Sequence, residues 1–459
     1  MRESPADFNS RIKTMLAGTP DASLVFLGNF EVEEQWGRGE HRLPRFSSEK
    51  GTAVVHAMDE FALLLAGPGD HVVLRSAPDE GYLDYLRGLG IALPGLHVAA
   101  PYRRSATVTE AALADPVLLD RLAALAGAGC RLAPHGVSAS EELLAERTGL
   151  PLMAPPAPVC RAVNSKIYSR RVADEVGLRQ PPGWVCETVG DLARVLPHGS
   201  ARLAQGYRLV LKEAFGVSGK GLAVLDRPHR LERLYRMIEQ RAGGSPDAPV
   251  AFVLEQWVDK QADLNYQFTV GVDGSVHFDA VKQAITEQGV HKGHLMPADL
   301  STAQYHTLVA AADLLGKRLA ADGYFGVVGV DALVEPDGEI YPVIEINARN
   351  NMSTYQVRLQ ERFVGPGQRA MARHYPVRLD AAVGFTAVAR ALGDRLLRAP
   401  GGHGLLVNNF ATVNAAAGGD GPFDGRLYGI AVADSPGGLG DIDADVRARL
   451  ANLTGAIHG

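Results

Sequence analysis

Residues Ile340–Tyr355 have the sequence IYPVIEINARNNMSTY, and they follow the segment GVVGVDALVEPDG at Gly326–Gly338. Val330–Val334 and Ile340–Ile346 are rich in β-branched and apolar residues, which favour β-strands. A Pro-Asp-Gly turn lies between the two segments. The pattern therefore predicts a β-hairpin.

Polar residues interrupt this apolar hairpin. Glu345 and Asn347 are two positions apart, so strand alternation points both to one face, and pairing across the hairpin would bring Asp331 beside them. Two carboxylates and an amide oxygen are hard ligands suited to Mg²⁺ that is shared with phosphates. Arg349 follows two residues later and is placed to contact anionic oxygens. The alternative, an edge hairpin with solvated acids, fits poorly because the flanking residues are too apolar for an exposed face.

Composition limits the classes of protein. The chain has 459 residues, of which 46% are hydrophobic and 21% charged, and its net charge is −6. This length predicts roughly two to four domains. The acidic balance argues against a nucleic-acid binder, so a polyanionic ligand must be held by a local cluster of cations. The 3 cysteines are widely spaced and form no CxxC pair, which argues against a disulfide framework. Since no apolar run approaches the length of a membrane span, we expect a soluble, cytoplasmic protein.

The first third of the chain alternates strands and helices. Ser23–Phe30 and His71–Arg75 have the pattern of buried parallel strands, and the helical segment Thr52–Ala66 between them completes a βαβ unit. Further helices are predicted at Gly81–Leu89, Asp115–Ala128 and Ser138–Thr148. The polar segment Glu31–Lys50 follows the first strand, at the edge where α/β sheets bind ligands, so it is either a substrate loop or a solvated connection. A proline-rich boundary follows at Pro151–Pro158.

A helix is predicted over Val163–Val176, beginning near Asn164 or Ser165 and ending at Gly177. Lys166 falls in its first turn, where the helix dipole favours anions over cations. We therefore expect this lysine to be paired with an anion. A solvated surface lysine is the alternative.

A glycine-rich hairpin comes next. Arg208–Leu211 and Leu222–Leu225 are predicted strands, separated by Lys212 and the loop GVSGKG at Gly216–Gly221. This is not a P-loop, because it joins two strands and lacks the G-x4-G-K-[ST] spacing. Glycines let backbone N–H groups approach phosphate oxygens, while Lys212 and Lys220 would supply positive charge. A flexible turn without a ligand is the alternative.

The segment Phe252–Val258, FVLEQWV, is predicted to be a strand that ends in Glu255–Val258. Backbone that is free of strand pairing could bind the edge of adenine, and Asp263 or Asn265 could accept a hydrogen bond from a ribose hydroxyl. An ordinary sheet hinge with a buried Trp257 is the alternative.

The remaining elements carry fewer chemical signals. Strands are predicted at Tyr266–Val270 and at Val276–Ala284, which carries Lys282, and an amphipathic helix at Ser301–Asp322. A loop is predicted at Gly289–Leu295, and it could contact substrate or act as a lid. Its two histidines make a metal site the alternative, but no further nitrogen or sulfur ligand is nearby. The tail is predicted to form a closing α/β layer, with a helix within Pro376–Arg398, strands at Gly404–Asn414 and Arg426–Ala433, and a capped helix at Asp441–Leu453.

Taken together, these features resemble the ATP-grasp superfamily of carboxylate–amine ligases. The resemblance covers Val159–Arg358, and the IEINAR box is its most specific part. The N-terminal unit resembles a pre-ATP-grasp domain, and the whole layout is most similar to pheganomycin-type peptide ligases. The implied fold is α/β: an ATP-grasp fold with an N-terminal Rossmann-like pre-ATP-grasp domain (1–155), a small lobe with the glycine-rich flap (156–250), a large lobe with the metal site (251–375) and a small C-terminal α/β extension (376–459).

The resemblance also implies roles for individual residues. Lys166 and Lys212 would contact the phosphates of ATP, and Asp263 would contact the ribose. The flap over the phosphates would be formed by Gly216, Ser218, Gly219, Lys220 and Gly221. Adenine would be contacted by Glu255, Gln256, Trp257 and Val258. Asp331, Glu345 and Asn347 would hold two Mg²⁺ ions, with Mn²⁺ as the alternative metal; many relatives have glutamate where this chain has Asp331. Arg349, Lys212 and Lys282 would be catalytic, and the substrate contacts would be His291, Lys292, Asn351 and Ser353.

The implied reaction joins a carboxylate to an amine. The carboxylate would attack the γ-phosphate of ATP to give an acyl phosphate and ADP, and an amine would then displace phosphate and form an amide, in natural-product or peptide biosynthesis. The partners would be small-molecule acids and amines or short peptides, with no nucleic acid and no membrane, and a homodimer is an open alternative to a monomer. An ATP-grasp kinase acting on a stable hydroxyl, or a non-catalytic nucleotide sensor, are the competing functions.

Overall fold

A computed structural model describes residues 7–41, 43, 49–103, 105–216, 221–287, 290–418 and 421–453. The N-terminal part contains a four-stranded parallel sheet in the order β3-β2-β1-β4, made of β1 (Leu24–Leu27), β2 (His71–Leu74), β3 (Gly95–Val98) and β4 (Arg131–Pro134). Its helical segments are α1 (Phe8–Ala17), α2 (Val32–Trp36), α3 (Glu49–His56), a 3-10 helix (Ala57–Phe61), α4 (Ala62–Leu65), α5 (Glu80–Gly88), α6 (Val108–Leu113), α7 (Pro116–Gly127) and α8 (Ala139–Thr148). The predicted βαβ unit is confirmed, since β1 and β2 pair in parallel.

The second sheet is antiparallel and has the order β5-β8-β6-β7, with β5 (Gly183–Thr188), β6 (Leu209–Glu213), β7 (Leu222–Leu225) and β8 (Pro249–Gln256). The helices here are α9 (Ala157–Val163), α10 (Lys166–Glu175), α11 (Val189–Ala204) and α12 (Pro228–Arg241). The glycine-rich hairpin is formed by β6 and β7, as predicted. Three of its proposed flap residues, Ser218, Gly219 and Lys220, lie outside the described residues.

The third sheet has eight strands in the order β13-β12-β9-β10-β11-β14-β16-β15. They are β9 (Ala262–Val270), β10 (Val276–Glu287), β11 (Val290–Met296), β12 (Gly326–Val334), β13 (Ile340–Asn347), β14 (Arg369–Leu379), β15 (Gly404–Asn409) and β16 (Phe423–Ala433). The associated helical segments are α13 (Thr302–Ala321), α14 (Thr354–Phe363), α15 (Phe385–Leu392), a 3-10 turn (Gly393–Arg395), a second 3-10 turn (Ala411–Val413) and α16 (Pro436–Ala451). The predicted closing layer thus continues the sheet that carries the Asp331–Glu345 hairpin.

The prediction of a loop at Gly289–Leu295 was wrong. Val290–Met296 is a strand that pairs with both β10 and β14. Within this strand, a β-carbon on Gly293 would lie 2.0 Å from the carbonyl oxygen of Ala372 on β14. This glycine therefore permits close approach of two strands.

The N-terminal unit and the large sheet share one hydrophobic core. Phe61, from the N-terminal unit, lies 5.9 Å from Tyr355 of α14 between ring centroids, and both side chains are buried in the same cluster. Phe30, in the segment after β1, also lies 5.1 Å from Tyr355 between ring centroids, so that segment packs against α14. No helix among the described residues is both long and apolar enough to cross a bilayer.

Candidate active site

The hairpin brings its acids together as predicted. Asp331 is the cross-strand partner of Glu345, and Gly329 is the partner of Asn347. The amide nitrogen of Asn347 lies 3.4 Å from Asp331 Oδ2, and Asn265 Nδ2 donates to Asp331 Oδ1 at 2.8 Å. Burial and the neighbouring Glu345 charge raise the pKa of Asp331 to about 6. Two adjacent carboxylates in a desolvated position favour a bound cation.

The hairpin oxygens fit Mg²⁺. Among the described residues, no group of three or more His, Cys, Asp or Glu side chains forms a metal cluster. Mg²⁺ does not need such a cluster, since proteins commonly bind it with one or two carboxylates and leave the other positions to water and substrate phosphates. Asp331 and Glu345 supply two carboxylates, and Asn347 adds an amide on the same face.

Lys166 is paired with an anion, as expected from its position in the first turn of α10. Its Nζ donates to Glu345 Oε1 at 2.6 Å and to the carbonyl oxygen of Gly216 at 2.7 Å. Ser165 caps the helix by accepting a hydrogen bond from the backbone N–H of Ile167. Lys166 therefore connects the paired acids to the first residue of the glycine-rich loop.

A second charged cluster lies in the second sheet, formed by β5 to β8. The carboxylate of Glu255 on β8 forms an ion pair with Lys212 on β6 and lies 3.4 Å from Arg170 of α10. The backbone N–H of Gln256 donates to the carbonyl oxygen of Pro182 at 2.8 Å, and the backbone N–H of Trp257 donates to the carbonyl oxygen of Arg208 at 2.9 Å. The segment that was predicted to offer unpaired backbone therefore has these two donors in use.

Asp263 lies at the start of β9 and lines the cleft. It accepts hydrogen bonds from Lys260 at 2.5 Å and from the hydroxyl of Thr286 at 2.7 Å. Asn265, the other residue that the sequence suggested for a ribose, instead bonds to Asp331 and to Ser353. Asp263 is therefore bonded to a cation, Lys260, whereas Asn265 is bonded to Asp331 and Ser353.

Arg349 reaches the same cleft and forms an ion pair with Glu33 of α2. Their side chains are 12% and 13% exposed, and burial lowers the pKa of Arg349 to about 10. Sequence reasoning missed Glu33. The signal was a run of three acids within Glu31–Lys50 directly after a buried strand, a segment that was also compatible with a solvated connection.

The residues proposed for substrate binding separate into two groups. Asn351 and Ser353 line the cleft, and Asn351 Oδ1 accepts the N–H of Ser353 at 2.8 Å. Lys292 lies half-buried on β11 and is not among the described residues that line the cleft; His291 lies on the same strand, and its side chain is outside the described part.

Lys282 is fully buried behind the cleft. Its Nζ donates to the carbonyl oxygen of Ser353 at 2.9 Å and to Gln356 Oε1 at 3.2 Å. The side chain is not among the described residues that line the cleft. The structure therefore places Lys282 where it supports the backbone of Ser353, a residue that lines the cleft.

Replacing Lys282 should change how stability depends on pH. Burial lowers the pKa of Lys282 well below its ordinary value of 10.5, so between these two pKa values the unfolded chain binds a proton that the folded chain does not. The wild-type free energy of unfolding should therefore rise with pH in this window, by at most about 1.4 kcal/mol per pH unit, and Lys282→Met should lose that component. Urea unfolding of both proteins at about pH 8.5 and about pH 9.5 measures the difference. Identical pH dependence would contradict the placement of a desolvated amine.

One cleft of about 410 Å³ is lined by the paired acids, Asn347, Arg349 and Asp263. Leu222 and Lys260 also line it, together with residues from the N-terminal unit. The residues from that unit are Phe30, Glu31, Glu33, Glu34, Val55, Met58 and His135. The cleft therefore brings the paired acids and a buried guanidinium next to residues of the N-terminal unit.

Comparisons with known proteins agree with this architecture. A pre-ATP-grasp family model matches residues 58–150, and an ATP-grasp family model matches residues 191–354. The chain is 27% identical over 328 residues to the butirosin acyl-carrier protein–L-glutamate ligase of Niallia circulans, covering 70% of this chain and 71% of that protein.

Solved structures share the fold at low identity. An ADP complex of N5-carboxyaminoimidazole ribonucleotide synthetase has a TM-score of 0.53 at 12% identity and covers 93% of this chain and 96% of that chain. The corresponding enzyme of Thermus thermophilus has a TM-score of 0.52 at 15% identity and covers 93% and 98% of the two chains.

Proposed function

Since the chain belongs to the ATP-grasp superfamily of carboxylate–amine ligases, we propose that it joins an amino acid or related acid to an amine through an acyl phosphate, releasing ADP and phosphate. The observation that carries the proposal is a cluster of two acids and two cations: Asp331, Glu345 and Arg349 line one cleft, and Lys166 is ion-paired with Glu345. No nucleophilic serine or cysteine is needed for this chemistry. The described cysteines are buried, and burial raises the pKa of Cys160 and Cys186 to about 12.

The nucleotide would lie between the second sheet, formed by β5 to β8, and the hairpin of β12 and β13. We assign Lys166 and Lys212 to its phosphates, Gly216–Gly221 to the flap over them, and Glu255–Val258 to adenine. Asp263 is assigned to the ribose, which would replace the lysine and threonine contacts that this carboxylate now makes. Support comes from position: Lys166 already bridges the flap and the paired acids.

Asp331, Glu345 and Asn347 would hold Mg²⁺, which when bound neutralises charge on the triphosphate. Lys166 now neutralises part of the charge of Glu345. With Mg²⁺ bound to Glu345, Lys166 would be available to phosphate oxygens. We propose that two ions bind, and metal titration measures their number.

The reaction proceeds in two transfers. A carboxylate oxygen of the acid attacks the γ-phosphorus, and the bond to the ADP oxygen breaks. The nitrogen of the amine then attacks the acyl carbon, and the C–O bond to phosphate breaks. Arg349, a buried guanidinium beside the hairpin, would stabilise the charge that develops on the acyl oxygen. Enclosure by the flap would protect the acyl phosphate from water.

The nature of the acid and amine is suggested by the curated relative, whose name describes the joining of L-glutamate to an acyl-carrier protein. We therefore place L-glutamate and other amino acids first among candidate acids, and small, peptide or carrier-bound amines among candidate acceptors. A role in natural-product biosynthesis is part of this proposal.

The proposal is tested by measuring ADP release in the presence of Mg²⁺, ATP, pooled amino acids and short peptides, and hydroxylamine. We expect ADP and a hydroxamate to appear together, because hydroxylamine captures an acyl phosphate. Omitting one pool member at a time identifies the activated acid, and chelation of the metal should stop both products. ADP with a stable phosphorylated product would favour a kinase, and ATP binding without ADP under every mixture would favour a sensor.

A further inference from the structure

The parallel sheet of the N-terminal unit opens onto the catalytic cleft at its topological switch point. The strand order β3-β2-β1-β4 reverses between β1 and β4, and α/β sheets bind ligands outside the carboxyl ends of strands at such a point. Phe30 follows β1 and His135 follows β4; their ring centroids are 4.2 Å apart, and both line the cleft. The crevice and the cleft are therefore one continuous space.

Glu31 lies at this junction with its carboxylate buried. Its residue exposure is 6%, and it lines the cleft. Within the described part of the chain, Glu31 forms no ion pair with a lysine, arginine or histidine; Glu33, two residues later, is neutralised by Arg349. Glu31 is thus a nine-tenths buried acid without a cationic partner that faces a ligand-sized space.

The surroundings of Glu31 reinforce its need for a proton or a cation. The charged groups that act most strongly on it are acids, namely Glu141 of α8, Asp59 of the 3-10 helix and Glu110 of α6, while a backbone N–H that donates to its carboxylate acts in the opposite direction. Burial is the largest cause that raises the pKa of Glu31 to about 8. With this pKa the carboxyl group holds a proton at neutral pH, and a cationic amine bound beside it would lower the pKa and leave a carboxylate that can accept a proton.

The same wall selects against a second acid. Phe30, Val55 and Met58 contribute apolar surface beside Glu31, and the pKa of the buried His135 is lowered to about 3, so that imidazole is uncharged. A negatively charged group would raise the pKa of Glu31 further and would meet no cation on this wall, whereas an ammonium would favour the carboxylate form of Glu31 and its apolar neighbour atoms would contact the wall.

We propose that this end of the cleft binds the amine substrate, a primary amine next to an apolar group, and that Glu31 takes the proton from its nitrogen. This inference rests on the proposed ligase function. The nitrogen lone pair forms the bond to the acyl carbon, the carbon–oxygen bond to phosphate breaks, inorganic phosphate leaves, and the proton lost by nitrogen moves to a carboxylate oxygen of Glu31. Proton acceptance by a positioned base contributes about 10²- to 10⁴-fold in rate.

The test compares wild type, Glu31→Gln and the control Glu146→Gln, which removes an exposed glutamate of α8 in the same unit. Each protein receives ATP, Mg²⁺ and the pooled common amino acids, with either hydroxylamine or L-leucinamide; the latter has no carboxylate to be activated. We expect Glu31→Gln to form hydroxamate at an unchanged rate, because hydroxylamine is uncharged at neutral pH. Formation of the leucinamide product should fall by about 100-fold or more. Glu31→Asp should regain part of that rate.

Two results would overturn the inference: equal loss of hydroxamate and amide in Glu31→Gln, or retention of both. If wild type forms no hydroxamate and no ADP, the proposed ligase function fails, and calorimetric titration with L-leucinamide then decides the amine site separately. Binding to wild type and Glu146→Gln that is lost in Glu31→Gln would support the site. Equal binding to all three proteins, or binding to none, would overturn it.

Discussion

Glu345→Ala should abolish nearly all ADP release while leaving the protein folded. The side chain supplies one of two adjacent carboxylates on the hairpin and accepts the hydrogen bond from Lys166 Nζ at 2.6 Å. Its loss would remove a proposed Mg²⁺ ligand and release Lys166, which also bonds to the first residue of the glycine-rich loop. We expect turnover to fall by about 10³-fold or more, equivalent to about 4 kcal/mol of transition-state stabilisation.

The matched control is Glu339→Ala. Glu339 is an exposed acid at the start of the same hairpin's second strand, outside the cleft, and its loss should leave turnover unchanged. Steady-state ADP release by all three proteins, with circular dichroism to check folding, measures the effect. Near-normal turnover by a folded Glu345→Ala protein would show that the site has been placed wrongly.

The second large effect is expected for Arg349→Met, in both stability and turnover. The substitution leaves Glu33 charged and buried at 13% exposure without its partner. Breaking a buried ion pair from one side costs about 3 to 5 kcal/mol, so the free energy of unfolding should fall by that order. Turnover should fall by about 10²- to 10³-fold, since the guanidinium would stabilise the developing oxyanion.

The double variant Glu33→Gln/Arg349→Met separates these two effects. It removes both charges, so the free energy of unfolding should recover most of what the single variant lost, because no unpaired charge stays buried. Turnover should stay low, since Glu33 is not assigned to phosphoryl transfer. Denaturant unfolding and ADP release measure the two quantities. Recovery of turnover in the double variant would mean that Arg349 acts only through the ion pair.

The hairpin and its acids were predictable because each depends on local pattern. Strand alternation with a Pro-Asp-Gly turn determines which residues face each other, and Asp331 and Glu345 are cross-strand partners in the structure. Lys166 was predictable as a paired lysine for a similar reason, since its position in a helix is unfavourable unless an anion is near. The identity of that anion, Glu345, is 179 residues away in sequence and could not be read from pattern.

The remaining features depend on contacts between distant segments. Glu33 meets Arg349 only because the N-terminal unit and the large sheet share a core, and no local signal encodes that packing. The strand at Val290–Met296 was predicted as a loop because its pairing partners are distant in sequence. Gly293 is required there by the close approach of β11 to β14. Lys282 is in a strand as predicted, but its direction away from the cleft is set by bonds to Ser353 and Gln356.

The central claim is that the acid is activated as an acyl phosphate, and oxygen transfer tests it most directly. The acid identified by the hydroxamate screen would be labelled with oxygen-18 in its carboxylate and turned over with ATP and an amine, and the released phosphate would be analysed by mass spectrometry. The account predicts that ADP is formed and that the inorganic phosphate carries one oxygen-18 atom from the acid. Unlabelled phosphate, or AMP and pyrophosphate in place of ADP and phosphate, would contradict it.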